Sequence, residues 1–142
     1  MDTSPRALVE RFYHQVWNRA DEAAAREILH KDFVFRASLG PEHTGPDGFI
    51  QYLRAVHQAL GGYQCIIEEL IESKRHAAVR LRFLGVHHDT FFGVPATGKR
   101  IEWCGAGFFA TDTGKITRLW VIGDVDAVKR QLGAASNADF TP

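Results

Sequence analysis

The chain has 142 residues and a mass of 15.9 kDa, room for one domain and too little for two of ordinary size. Leu, Ile, Val and Phe supply 38 of those residues, enough to build a core and to exclude intrinsic disorder as the main state. Lys plus Arg equals Asp plus Glu at 17 each, so the charge balance favours neither nucleic acid nor an anionic membrane as partner, and small neutral or apolar ligands remain.

From Ser4 to Arg19, the apolar residues Ala7, Leu8, Phe12, Val16 and Trp17 recur close to the helical period, with Ser4 as cap and Pro5 in the first turn. Asn18 or Asp21 can cap a second short helix, Glu22 to Leu29. Asp32 to Ala37 alternates as a short strand with Phe33 and Phe35 on one face. Thr44-Gly45-Pro46 opens a third helix, Asp47 to Leu60, whose Phe49, Ile50, Leu53 and Val56 keep the three-to-four spacing until Gly61-Gly62 stops it. Strands then read at Tyr63 to Ser73, Ala77 to His88, Lys99 to Thr111 and Lys115 to Gly123, separated by turn chemistry at 74–76, 93–98 and 112–114. Asp124 or Asp126 caps a last helix through Leu132, ended by Gly133. Helices followed by an antiparallel meander make an α+β domain over 1–133, and the small, polar 134–142 is expected to be a loosely ordered tail. A polar start without a secretory leader, and no run of about 20 apolar residues, lead to the expectation of a cytoplasmic protein.

Alternation divides the strands into two faces. One carries Val79, Leu81, Phe83, Gly85 and His87, then Ile101, Trp103, Gly105, Gly107 and Phe109, then Thr117, Leu119, Val121 and Gly123. Its glycines either leave room for an aromatic-lined cavity under the helices or mark bulges that curl the sheet; the two readings are compatible. The other face mixes Arg80, Arg82, Glu102 and Arg118 with Phe108, Trp120 and Ile122, too apolar to leave in water. A homodimer through Trp120, Ile122 and Phe108 is the expectation there.

Cys65 and Cys104 sit in apolar strand-like runs and read as buried, reduced thiols. Gly93 to Lys99 matches most of a phosphate-binding loop, but Arg100 replaces the Ser or Thr and a strand follows, so it reads as a hairpin loop. His87 and His88 point to opposite faces and cannot share a metal ion, and no metal site is expected. His87 alone, at the strand end on the cavity face, is a candidate for orienting a ligand or moving a proton; the alternative is a loop-edge histidine. Asp124 is a candidate general base at the cavity mouth or, with less machinery, the cap of the last helix.

His43-Thr44-Gly45-Pro46 with Phe49, the hairpin Gly93 to Arg100, Gly114-Lys115-Ile116, Trp120 with Asp124, and Gln131-Leu132-Gly133 together resemble the SnoaL-like polyketide cyclase family of the nuclear transport factor 2-like superfamily, over about Ala7 to Gly133. The resemblance implies a cone-shaped α+β barrel around an apolar cavity, chemistry without a cofactor as in many members, and frequent oligomers. Cyclases of this family pair an aspartate base with a histidine; aligned on Gly114-Lys115-Ile116, those positions fall on Val121 and Gly107, neither able to move a proton. Asp124 matches a carboxylate common across the family. Similar relatives are assigned to hydroxylation of the polyketide scaffold, with a separate reductase as possible partner. The expectation is therefore a SnoaL-like enzyme, hydroxylase-type rather than aldol cyclase. Its flat aromatic substrate would lie against Trp103, Phe83, Phe109, Leu119, Val121, Gly107 and Phe35, with His87 and Asp124 supplying polarity. A cyclase or isomerase with a relocated base such as Asp124, and a non-catalytic binding module, are the alternatives.

Overall fold

Residues 2–38 and 40–133 are described by the computed structural model of the chain, so the tail expected at 134–142 lies outside the described residues. Helix α1 spans Pro5–Arg11 and is capped by Ser4, whose hydroxyl accepts from the Ala7 amide at 3.2 Å. The helix then continues in a form the apolar spacing did not announce. Phe12–Trp17 is a π-helical turn, closed where the Asn18 amide donates to the Tyr13 carbonyl at 2.9 Å. Phe12, Tyr13, Val16 and Trp17 all face inward from it. Asn18 caps nothing; its side-chain amide clamps both backbone groups of Cys65, at 3.0 and 2.8 Å, and ties this turn to the sheet. Asp21 is the cap of α2, Glu22–Ile28, accepting from the Ala24 amide at 3.0 Å.

The strands are β1 (Leu29–Arg36), β2 (Glu42–Thr44), β3 (Leu60–Glu72), β4 (His76–His87), β5 (Arg100–Asp112) and β6 (Lys115–Gly123). Helix α3, Gly45–Ala59, joins β2 to β3, and α4, Val125–Leu132, follows β6. They form one curved, unclosed sheet in the order β2-β1-β6-β5-β4-β3. This corrects the all-antiparallel expectation, because β1 enters parallel to β6. The three residues of β2, paired with β1 through Phe35 and His43, were too few to show an alternation.

Helices cover one face, as expected for an α+β cone, and the alternation named that face correctly: Val79, Leu81, Phe83, Ile101, Phe109 and Leu119 are all buried. Two corrections follow from local geometry. The β5–β6 register slips between Ala110 and Thr111, so Ile116, placed outside by strict alternation, is fully buried. Cys104, expected to be buried, is exposed on the outer face, while Cys65 is buried. The β5–β6 hairpin closes on Thr113-Gly114, with φ of +50° and +76°, a two-residue turn whose twist suits the strands. Gln131 holds α4 to β5 by exchanging two hydrogen bonds with the Glu102 backbone, at 2.9 and 2.7 Å. Among the described residues no helix is long and apolar enough to cross a membrane.

Of the two readings of the inner-face glycines, the open hole is not what the structure shows at Gly105, Gly107 and Gly123. A side-chain carbon on Gly105 would lie 2.5 Å from the Phe83 ring and 2.9 Å from the Ile122 carbonyl oxygen. On Gly107 it would meet the Tyr13 hydroxyl at 3.2 Å, and on Gly123 the Ser38 hydroxyl at 2.9 Å and the Trp103 indole nitrogen at 3.3 Å. Large side chains from neighbouring elements occupy the space that the glycines vacate.

Candidate active site

The interior opens between the π-helical turn, α3 and the inner face of β5 and β6. An inner chamber of about 70 Å³ is walled by Tyr13, Trp17, Tyr52, Tyr63, Phe83 and Trp103, together with Phe35, Phe91, Leu119 and Val121. Rings meet edge-on or tilted around it: Trp17 and Tyr63 at 5.3 Å, Phe83 and Trp103 at 5.3 Å, Phe35 and Tyr52 at 5.1 Å. Beyond it lies an outer groove of about 460 Å³, bounded by Pro41, His43, Gln51, Ala55, Ala59 and Thr90. Inner chamber and groove share Ala37, Tyr52, Val56 and Phe91 as common walls. A smaller side chamber of about 50 Å³ adds Phe92, Val125 and Val128. The groove falls in the size range of small-molecule sites; the inner chamber admits only the tip of such a molecule.

All three tyrosines of the chain line the inner chamber. Burial pushes the Tyr13 and Tyr63 phenols well above their ordinary value and Tyr52 up to about 12. They stay protonated and able to donate. Among the described residues the hydroxyls of Tyr13 and Tyr52 make no hydrogen bond and no charged side chain lines the chamber. An oxygen entering it, a carbonyl or an enolate, would meet donors and no fixed negative charge. Cys65, behind the tyrosines, is pushed up to about 12 by burial and is no nucleophile.

Of the substrate-binding residues expected from sequence, Trp103, Phe83, Leu119, Val121 and Phe35 line the chamber. Phe109 is packed behind it against Phe12 at 5.6 Å and Tyr13 at 5.8 Å, and Gly107 lies under the Tyr13 hydroxyl. Neither expected catalytic residue reaches the cavity wall. His87 is fully buried and held by the hairpin loop: its Nδ1 receives the Thr97 hydroxyl at 2.8 Å and the Thr97 amide at 3.2 Å, and its Nε2 donates to the Val94 carbonyl at 3.1 Å. With both nitrogens engaged, it anchors the loop that carries Phe91 and Phe92. Asp124 is exposed and caps α4, accepting from the Ala127 amide at 3.0 Å. Among the described residues no group of three or more His, Cys, Asp or Glu is placed to hold a metal.

Sequence reasoning missed Tyr13, Trp17, Tyr52, Tyr63, Phe91 and His43 as wall residues. Tyr13 follows Phe12 on the first helical face and Tyr52 falls between Phe49 and Leu53, so counting amphipathic aromatics with the apolar stripe would have found them. Phe91 stands in a loop, where no periodicity operates.

A curved sheet roofed by helices, with an apolar funnel between them, defines the class of α+β cone domains. A family model for SnoaL-like polyketide cyclases matches residues 7–132, nearly the whole chain, and the chain belongs to that family. A candidate SnoaL-like polyketide cyclase from Jannaschia sp. CCS1 superposes with a TM-score of 0.86 at 18% identity, covering 94% of each chain. AclR, a candidate hydroxylase from Streptomyces galilaeus, gives 0.78 at 20% identity over 91% of this chain and 95% of its own. IdmH, a candidate polyketide cyclase from Streptomyces antibioticus, gives 0.79 at 22% identity over 92% and 99%. At these identities the likeness is one of fold. No curated protein matches the sequence.

Proposed function

We propose that the protein is a small-molecule enzyme of aromatic polyketide or related secondary metabolism, hydroxylase-type rather than an aldol cyclase. It would take a flat, carbonyl-bearing substrate with the apolar body in the outer groove and one oxygen at the inner phenols. The observation that carries this reading is the chemistry at two positions. Where the resemblance places the cyclase aspartate, Val121 faces the chamber; where it places the histidine, Gly107 lies beneath the Tyr13 hydroxyl. The donors suited to an oxyanion remain, and the cyclase acid–base pair is missing. In the hydroxylation, one atom of dioxygen enters a C–H bond and the other leaves as water. Two electrons and two protons come from a separate reductase, which is part of the proposal.

Tri- and tetracyclic aromatic ketones incubated with the protein under ¹⁸O-labelled dioxygen, with and without a reductase, test the reading by mass spectrometry. Gain of one labelled oxygen is the expected result. Loss of water without label, or an isomer of unchanged mass separated by chromatography, would replace it with ring closure or isomerisation, and affinity with no new product of any mass would make the protein a binding module. Ring closure or isomerisation is the second reading, and the imidazole of His43 in the groove wall favours it.

A further inference from the structure

Among the described residues, the walls of the inner chamber and side chamber offer phenols, indoles, the Ser38 hydroxyl and hydrocarbon, and no imidazole or carboxylate. The outer groove adds the imidazole of His43. His43 is the middle residue of β2, opposite Phe35 of β1, and its ring lies 6.1 Å from that of Phe35 and 5.4 Å from that of Tyr52. Behind it, the first turn of α3 packs closely enough that a side-chain carbon on Gly48 would sit 3.6 Å from the His43 Cβ. The ring thus has Phe35 and Tyr52 as neighbours, and α3 lies close to its Cβ. Its two nitrogens make no hydrogen bond among the described residues, whereas His57 is tied to the Trp17 carbonyl at 2.8 Å and both nitrogens of His87 hold the hairpin loop.

The geometry points to His43 as the catalytic base of the site, removing a proton from a substrate carbon acidified by a carbonyl while the Tyr52 hydroxyl donates a hydrogen bond to that carbonyl oxygen. The C–H bond breaks, its electron pair forms the enolate double bond, and the carbonyl π pair moves onto oxygen. The proton goes to the free imidazole nitrogen, leaving an imidazolium beside an enolate, and no oxidant is needed. Tyr52 is suited to its part because it belongs to both chambers, edging the groove where the base sits and the inner chamber where the oxygen would point. The inference rests on reading the funnel as the site of a flat ketone. It is independent of the fate of the enolate, from which oxygenation and ring closure can both begin.

Anthrone is a suitable probe: a flat tricyclic ketone whose CH₂ group is acidified by the carbonyl across the ring. Under nitrogen in deuterated buffer, binding is read by quenching of tryptophan fluorescence and proton removal by loss of the CH₂ signal in NMR. The wild-type chain is expected to bind anthrone and to accelerate exchange. His43→Phe keeps a flat ring against Phe35 and Tyr52 without a nitrogen; it should bind within about threefold of wild type and lose about 100-fold or more of the catalysed exchange. His43→Gln provides the same comparison should the phenylalanine variant not fold, and His76→Gln, on an exposed histidine at the start of β4, should exchange at the wild-type rate. Exchange unchanged in His43→Phe or His43→Gln overturns the role of His43 while leaving the site intact. So does a wild-type chain that binds anthrone without speeding exchange. A wild-type chain that does not bind anthrone overturns the reading of the funnel itself, and the role of His43 with it.

Discussion

Strands β4, β5 and β6 present two faces built from alternate residues of one sequence, and the faces have opposite characters. Inside, each missing side chain is answered by a large one from elsewhere, Phe83 over Gly105 and Tyr13 over Gly107, and the polar atoms are few, neutral and mostly donors. Outside, Phe108, Ile122 and Trp120 remain 50%, 49% and 38% exposed beside guanidinium–carboxylate pairs such as Arg82 with Glu102 at 2.8 Å. Arg36 lies over the Trp120 ring at 4.6 Å. The inner face is complete as a packed wall around a narrow chamber, whereas the outer face is incomplete as a surface. We propose ligand chemistry for the first and association for the second.

The comparison can be broken most forcefully from inside. Gly105→Ala places a carbon 2.5 Å from the Phe83 ring and 2.9 Å from the rigid Ile122 carbonyl. The ring can turn, into the chamber; the backbone cannot. A loss of about 3 kcal/mol or more in a urea titration is expected, at the upper end of overpacking costs. Gly107→Ala, with its closest contacts at 3.2–3.3 Å, should cost about 1–2 kcal/mol. Equal, small losses at both positions would mean that the wall yields and that the glycines are mere sheet-curling devices.

Alkali sharpens the same contrast, because every tyrosine of the chain is on the inner side. Folding raises the phenols of Tyr13, Tyr52 and Tyr63 above their ordinary value, so the unfolded chain ionises first. Their stabilising contribution is full below pH of about 10 and is lost as pH climbs toward the folded values, at about 1.4 kcal/mol per pH unit for each phenol still neutral. Tyrosinate absorbance should therefore rise together with unfolding rather than before it. Early ionisation of one residue would place its hydroxyl in contact with water.

The outer face is tested by self-association. A second copy of the chain is the proposed partner, for the face carries both signs of charge, Arg80, Arg82 and Arg118 against Glu68, Glu69 and Glu102, around its apolar middle. Such a surface can complement itself about a two-fold axis. Sedimentation at micromolar concentration should give a dimer for wild type and a folded monomer for the double variant Phe108→Glu, Ile122→Glu. A wild-type monomer would remove the proposal.

Much of this architecture was legible because period-two alternation reports directly which side of a strand is buried; the inner residues of β4 follow it from Val79 to His87 without exception. Helix ends were legible through Ser4, Asp21, Asp124 and Gly133, whose side chains or backbone angles close the termini. What failed to show depends on contacts distant in sequence. The alternation records that Gly105 lacks a side chain but not that Phe83 reaches over it. Ile116 turned inward because of a one-residue bulge. His87 stands on the inner face as expected, yet its partners Thr97 and Val94 come from a loop with no pattern to read. The site drew its walls from helices and loops, Tyr13, Tyr52 and Phe91, more than from the strands whose periodicity was clearest.

Asp124 gives the smallest expected effect and the cleanest separation of structure from chemistry. It follows β6, where both faces give way to α4, and its carboxylate accepts from the Ala127 amide while remaining exposed. Asp124→Ala should cost about 1 kcal/mol, the usual worth of an N-cap, and Asp124→Asn, which can still accept from that amide, only a few tenths. Anthrone binding and exchange should be untouched in both, because no wall of the funnel includes this side chain. A variant that keeps its stability yet loses exchange would return the carboxylate to the chemistry, and would require α4 to move so that its first turn faces the cavity.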